Sequence, residues 1–236
     1  ERQAPLADQP KTMLPTDPKN IWMEGIGLIG LGANAKAASI AGDLVVQNAR
    51  VRAIGEDAGG FRPISEKDLF DCEYWSLEQA KLGKGAPPKF QGKIVMITGG
   101  SGTIGFAIAE AFSKLGAQTI LVDKDETALK KAVTKLGVGH AYFPIDVTET
   151  DAADQAMLAA IQNFGGLDIL VSNAGAAHAG PMLSISNDEL RNAFELNFFS
   201  HYSFSTEAAK ILKNQNRGGQ ILFNISKQAV NPGKNF

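Results

Sequence analysis

KIVMITGGSGTIGFAIAEAFSKLGAQTILVD, residues 93–123, is the stretch whose reading decides the fold. KIVMIT is short, apolar and rich in β-branched residues, the composition of a strand buried on both faces of a parallel sheet. In IGFAIAEAFSKLG, Ile104, Ile108, Ala111, Phe112 and Leu115 recur at helical spacing, and Gly116 stands where a helix would stop. Between them lies the glycine turn TGGSGTIG. This order suits a phosphate cradle, because a buried strand delivers the chain into a tight turn and the helix then starts with unpaired N–H groups aimed at an anion. QTILVD reads as the next strand and ends in Asp123, 24 residues after Gly99. In a βαβ unit a carboxylate there faces an adenosine ribose, accepting hydrogen bonds from its hydroxyls and repelling a 2′-phosphate. NAD is therefore expected in preference to NADP, against the pull of Lys124, a cation next door that could meet such a phosphate.

A second glycine cluster, GIGLIGLG at 25–32, has the spacing G-x-G-x-x-G through Gly25, Gly27 and Gly30. Its flanks argue against a phosphate cradle. Only Ile21, Trp22 and Met23 precede it as an apolar run, and no helix starts directly after Gly32. Glycines alternating with Ile26, Leu28 and Leu31 suit an extended segment or hairpin with close backbone approach.

Downstream of Asp123 the alternation continues. AYFPIDV (141–147), LDILVSNAG (167–175) and GGQILFNIS (218–226) read as strands, with helices from about Asp151 to Phe164 and from Ser186 onward. Five strands separated by helices imply an α/β fold with a doubly wound, Rossmann-like parallel sheet. Ligands of such sheets sit outside the carboxyl ends of the strands, where Gly99, Asp123, Asp146, Asn173 and Ser226 would gather. Taken singly, each could instead merely end a strand or cap a helix. Ser186 and Glu189 form a capping box for the helix that follows. On one face of that helix stand Leu190, Ala193, Phe194, Asn197 and His201. An amide among apolar groups requires a hydrogen-bond partner, so Asn197 either holds a water or a backbone group or is misplaced on that face by a constant helical period. His201 reads as a satisfied core histidine rather than a base, since no partner acid is apparent.

Net charge is -2 without blocks of like charge, which gives no electrostatic reason to bind nucleic acid or an anionic membrane. No apolar run approaches the roughly 20 residues of a membrane-spanning helix. Cys72 is the single cysteine, which excludes an internal disulfide and fits a reducing compartment, so a cytoplasmic location is expected.

From about Lys93 to Phe236 the chain resembles the short-chain dehydrogenase/reductases. Thr98-Gly99 with Gly102 and Gly105, then Asp123, Asp146-Val147, NAG at 173–175, Asn197 and Ser226 occur in the family's order. The resemblance implies a loop of Thr98, Gly99, Ser101, Gly102, Thr103, Ile104 and Gly105 that holds the cofactor together with Asn173, Ala174 and Gly175. It implies that Asp146 and Val147 flank the adenine, that Ser226 binds the substrate oxygen and that Asn197 holds a proton-relay water. Thr103 departs from the glycine of the usual short members, while Gly102 fits the T-G-x-x-G-x-x-G of sugar-nucleotide-modifying members. The family's Tyr-x-x-x-Lys is not found: Tyr74, Tyr142 and Tyr202 are followed four residues later by Glu78, Asp146 and Thr206. The sheet is accordingly expected to be incomplete at its C-terminal end, with the chain a segment of a longer enzyme that extends both before Glu1 and past Phe236.

Residues 1–90 are expected to form an α+β appendage, and 91–236 the dinucleotide-binding domain. NAKAASIAGDL reads as a helix with Ala37, Ile40, Ala41 and Leu44 on one face. SEKDLFDCEYWSLEQAKL reads as a second, capped by Ser65 and Asp68, with Leu69, Phe70, Tyr74 and Leu77 inward, and GKGAPP as a linker. The glycine-rich run with the first helix, and the second helix, resemble the end of the class II aldolase half in bifunctional aldolase/short-chain dehydrogenases. His140, His178 and His201 all lie outside that half, so neither a metal site nor aldolase activity is expected from it. The expected activity is hydride transfer between NAD(P) and a secondary alcohol or carbonyl, sugar-derived ones among them, and the 236-residue segment, without a Tyr-x-x-x-Lys, is itself expected to show no turnover. The alternatives are a binding module without turnover and a sugar-nucleotide epimerase. Expected partners are the small-molecule substrate and further copies of the chain.

Overall fold

The computed structural model describes residues 11–80, 86–177, 180–181 and 183–233. The chain divides between Pro87 and Pro88 into two compact units. The linker GKGAPP lies across that division, and its residues 83–85 fall outside the described ones.

In the first unit, β1 (Asn20–Met23) pairs antiparallel with β2 (Gly27–Gly30), so GIGLIGLG forms the turn and second arm of a hairpin. Helix α1 (Ala35–Asp57) follows, capped by Asn34, whose side chain accepts from the N–H of Ala37 at 2.9 Å. Glycine is required here by close approach: a Cβ on Gly30 would collide with the Ala38 carbonyl, and one on Gly32 with the backbone of Ala37 and Ala38. The face that α1 turns inward carries small residues, Ala37, Ala38, Ala41 and Gly42, with Val45 buried. Ile40 and Leu44, expected on that face, are exposed, because a larger side chain would hold the helix off the hairpin. The helix read over 65–82 is interrupted as α2 (Glu66–Glu73) and α3 (Ser76–Gln79). Ser65 caps α2, Phe70 stacks on Tyr74 with ring centroids 4.5 Å apart, and Leu69 and Leu77 are exposed.

The second unit is a five-stranded parallel sheet flanked by helices. Its strands are β3 (Ile94–Thr98), β4 (Gln118–Asp123), β5 (Ala141–Pro144), β6 (Ile169–Ser172) and β7 (Gln220–Phe223), in the spatial order β5-β4-β3-β6-β7. Every neighbouring pair is parallel. Strand order reverses between β3 and β6, which opens a crevice there at the carboxyl edge. Alternate residues feed two cores. Val95, Ile97, Leu121, Ile169 and Val171 pack with residues of α4 (Thr103–Lys114) and α5 (Glu126–Leu136). Ile94, Met96, Ile120, Val122 and Leu170 pack with α6 (Ala152–Phe164) and with Phe204 and Ala208 of α8 (Ser200–Gln215). The central strands are buried on both faces, hence the nearly unbroken apolar runs of KIVMIT and ILVS.

At the start of the sheet, buried Asp168 accepts from the Ile94 N–H at 3.0 Å and from Lys93 Nζ at 3.1 Å, tying β6 to β3. His140 ties β4 to α4. Its Nδ1 accepts from the Thr119 N–H at 3.1 Å, which places the proton of the neutral ring on Nε2, 3.0 Å from Ser113 Oγ. Burial lowers the pKa of this imidazole below its ordinary value.

Candidate functional site

The carboxyl ends of the strands surround a cleft of about 1330 Å³. On its floor is the turn between β3 and α4. Gly99 takes φ +65°, and a Cβ there would lie 2.9 Å from Ala174 Cα. Gly102 caps α4 without a side chain, and a Cβ on it would meet only the Gly99 carbonyl, at 3.4 Å. That open space lies at the start of a 12-residue helix whose first-turn N–H groups belong to Thr103, Ile104 and Gly105, all lining the cleft. The arrangement suits an anion such as a pyrophosphate. Ile104 is 61% exposed and lines the cleft. The inward stripe keeps the expected Ile108 and Phe112 but adds Gly105 and Ala109, while Ala111 and Leu115 are exposed like Ile104, because the turn lets Gly105 approach the Gly99 carbonyl.

Asp123, at the end of β4, lines the cleft beside that turn. Its Oδ2 accepts from Ser101 Oγ at 2.6 Å and from the Ser101 N–H at 3.2 Å. Asp146 and Val147 follow β5 on the same wall. The backbone N–H of Thr148 holds the Asp146 carboxyl below the usual carboxylate range, helped by the Thr148 hydroxyl and Lys124. Lys124 Nζ lies 3.8 Å from Asp146 Oδ2.

The opposite wall is Asn173-Ala174-Gly175, after β6. Thr98, buried rather than lining the cleft, accepts from the N–H groups of Asn173 at 2.9 Å and Ala174 at 3.0 Å. Asn173 Nδ2 donates to the Thr98 carbonyl at 2.9 Å, and its Oδ1 accepts from Asn224 at 2.7 Å. Loop, turn and β7 are thus joined through one side chain.

Asn197 lies in a π-helical turn, Glu195–Phe199, between α7 (Asn187–Phe194) and α8. The capping box of Ser186 and Glu189 starts α7, as its residues imply. A π turn shifts the helical register, and such turns occur at functional sites. Asn197 is accordingly exposed at the cleft rather than set in an apolar face. Its amide meets both backbone groups of Ala176, accepting from N–H at 3.1 Å and donating to C=O at 3.0 Å. That pairing closes the loop after Gly175, whose missing Cβ makes room for Asn197 Oδ1. His201, one turn on, is half-buried at the cleft and shares a 2.7 Å hydrogen bond with Ser172 Oγ at the end of β6. Burial lowers its pKa, opposed by a hydrogen bond to the Ala174 backbone. Among the described residues its side-chain partner is a hydroxyl, not an acid.

Ser226 also lines the cleft, three residues beyond the end of β7, where its Oγ caps a short 3-10 turn by accepting from the Gln228 N–H at 3.2 Å. The fold therefore brings the expected residues to one rim, except Thr98 and Ser101, which brace it from behind. Sequence reasoning missed Asn224 and Ser172. Both are polar residues at the carboxyl end of a strand, and that position was the available signal. His178 lies outside the described residues.

Residues 93–236 match the family model described as short chain dehydrogenase, and residues 1–82 match aldolase class II, second domain. An uncharacterized oxidoreductase of Bacillus subtilis, YuxG, is 32% identical over 92% of this chain and 32% of its own length. Galactitol 2-dehydrogenase of Agrobacterium fabrum is 28% identical over 62% of this chain and 57% of its own. The crystal structure of 3-ketoacyl-(acyl-carrier-protein) reductase from Brucella melitensis complexed with NADH superposes with a TM-score of 0.59 at 27% identity, covering 61% of each chain. The chain thus spans a third to about three-fifths of the length of these relatives. Since one family model accounts for more than half of its residues, and for the whole β3–β7 sheet with its glycine turn, the chain belongs to the short-chain dehydrogenase family, and an aldolase-type segment ahead of that sheet fits the bifunctional aldolase/short-chain dehydrogenase type.

Proposed function

We propose that the β3–β7 unit binds NAD and forms part of an oxidoreductase acting on a secondary alcohol or its carbonyl, of sugar-derived type. The observation that carries this reading is the side-chain-free start of α4 at Gly102, opening onto the cleft beside Asp123. A pyrophosphate would rest on the N–H groups of Thr103, Ile104 and Gly105. Asp123 would receive the ribose hydroxyls, and Asp146 and Val147 would border the adenine. Asn173, Ala174 and Gly175 would form the wall toward the nicotinamide, which when bound supplies or accepts a hydride.

In this reading Ser226 donates a hydrogen bond to the substrate oxygen as charge grows on it, a contact that acts mainly in the transition state. Asn197, with both amide atoms on Ala176, fixes the loop after Gly175 and borders the space where a relay water would stand. Two relatives support the substrate class: one is a galactitol 2-dehydrogenase, and the other is a 3-ketoacyl-(acyl-carrier-protein) reductase in complex with NADH.

The test is fluorescence titration of the protein with NADH, followed by steady-state hydride transfer with polyols and ketoses. NADH binding is the expected result. Hydride transfer is expected where a Tyr-x-x-x-Lys pair completes the site, and there Ser226→Ala should lower turnover far more than cofactor affinity. NADH binding without turnover in a longer polypeptide carrying that pair would leave a binding module. Absence of NADH binding would refute the reading.

A further inference from the structure

Ser101, in the glycine turn, does not line the cleft; its side chain turns to Asp123 instead. Half-buried between Gly100 and Gly102, it donates its O–H and its N–H to the same oxygen, Oδ2 of Asp123, at 2.6 and 3.2 Å. Beside it, the Gly100 N–H donates to the Val122 carbonyl at 3.1 Å, so the turn after β3 is fastened to the end of β4 at two adjacent points. Among the described residues, the other carboxylate oxygen of Asp123 has only a long contact, 3.5 Å from the Asp125 N–H. A hydroxyl donating to an ionised carboxylate makes a short, strong bond. With Oδ2 held twice, turning the carboxylate away means breaking both bonds to Ser101, and Oδ1 is the oxygen left for a ligand. An untethered aspartate at this site could turn toward solvent without that cost when a second anion arrived. The exposed Lys124 ammonium lies 3.8 Å from Asp146 Oδ2.

We propose that Ser101 is a positioning residue for cofactor selectivity: by holding Oδ2 it fixes the Asp123 carboxylate, so that a dinucleotide with a free ribose 2′-hydroxyl is accepted and its 2′-phosphorylated counterpart is excluded. This rests on the reading of the cleft as a nicotinamide dinucleotide site. Selectivity then belongs to the pair, and the glycine turn contributes to it through a side chain as well as through its backbone.

The experiment titrates NADH and NADPH into the wild-type protein, Ser101→Ala, Ser101→Thr, Asp123→Ser and the Ser101→Ala/Asp123→Ser double variant, with a thermal melt of each. Loss of one charge-assisted hydrogen bond should lower the NADH-over-NADPH affinity ratio roughly tenfold in Ser101→Ala. Ser101→Thr, which keeps a hydroxyl, should restore most of the ratio. In the Asp123→Ser background, Ser101→Ala should change the ratio no further, because no carboxylate remains to be held. A purely structural role would weaken both cofactors alike and would persist in that background. An unchanged ratio in Ser101→Ala with NADH still bound, or an equal change with and without Asp123, overturns the inference while leaving the cleft reading intact. Wild-type protein that binds neither dinucleotide overturns both.

Discussion

Two glycines of the same turn should fail in opposite ways when given a methyl group. At Gly105 a Cβ would overlap the Gly99 carbonyl oxygen and lie 3.0 Å from Asn173 Nδ2. Backbone and a twice-bonded amide must yield, so the overpacking cost belongs near the upper end of its usual range, about 3 kcal/mol. Alanine in a helix returns about 1 kcal/mol relative to glycine, leaving about 2 kcal/mol of net destabilisation. For a unit of this size that lowers the melting temperature by roughly 4–8 °C. At Gly102 the new Cβ meets the Gly99 carbonyl at 3.4 Å, an ordinary contact, and its φ of -71° is open to any residue. Replacing a glycine cap by alanine costs roughly 0.5 kcal/mol, or about 1–2 °C. Gly102→Ala should therefore melt almost as the wild type does, yet its methyl group fills the space before the first-turn N–H groups of α4, and NADH affinity should fall at least tenfold. Differential scanning fluorimetry and NADH titration on both variants separate the effects. Full NADH affinity in Gly102→Ala would refute the placement of the pyrophosphate at α4. A Gly105→Ala protein that melts with the wild type would refute the packing argument.

Two further outcomes follow from the hydrogen bonds behind the cleft. Thr98→Val keeps the shape of the side chain but leaves the N–H groups of Asn173 and Ala174 without their shared acceptor, so it should cost about 3 kcal/mol, read as a lower urea midpoint at unchanged slope. A midpoint equal to that of the wild type would show that the loop finds other acceptors. His140 and His201 both have pKa values lowered by burial, so the unfolded chain binds more protons than the folded one just below pH 6.5. Their contribution to stability is complete above that pH and is lost as pH falls through the folded values. Urea midpoints should be lower at pH 5.5 than at pH 7.5. Equal midpoints, or a higher one at pH 5.5, would contradict the burial of the two rings. The Asp146 carboxyl, whose pKa is also lowered, loses its contribution only in a more acidic window, below the ordinary carboxylate value.

Local chemistry carried far in this chain. A strand buried on both faces must be apolar throughout, a phosphate turn needs glycine, and a helix must start and stop on recognisable residues. KIVMIT, TGGSGTIG and QTILVD therefore declare their structure without reference to anything distant, and GIGLIGLG is recognisable as something else because its flanks lack those features. Asp123, Asp146 and Asn173 were legible as cleft residues for the same reason, since the carboxyl ends of parallel strands converge by topology alone. What needed the tertiary structure were the facts set by contact between distant segments. The π turn that moves Asn197 out to the cleft leaves no mark in the apolar spacing, which was read with one constant helical period. The inward face of α1 was misread because Ile40 and Leu44 are the more apolar residues, whereas the hairpin admits only alanine and glycine at its closest approach. Residues 65–82 carry helix-forming side chains throughout, and only the fold shows the break at Tyr74 and Trp75. The bonds from Ser101 to Asp123 and from Asn224 to Asn173 join residues 22 and 51 positions apart. Spacing within one element reports which way a side chain points, but not what another element brings to meet it.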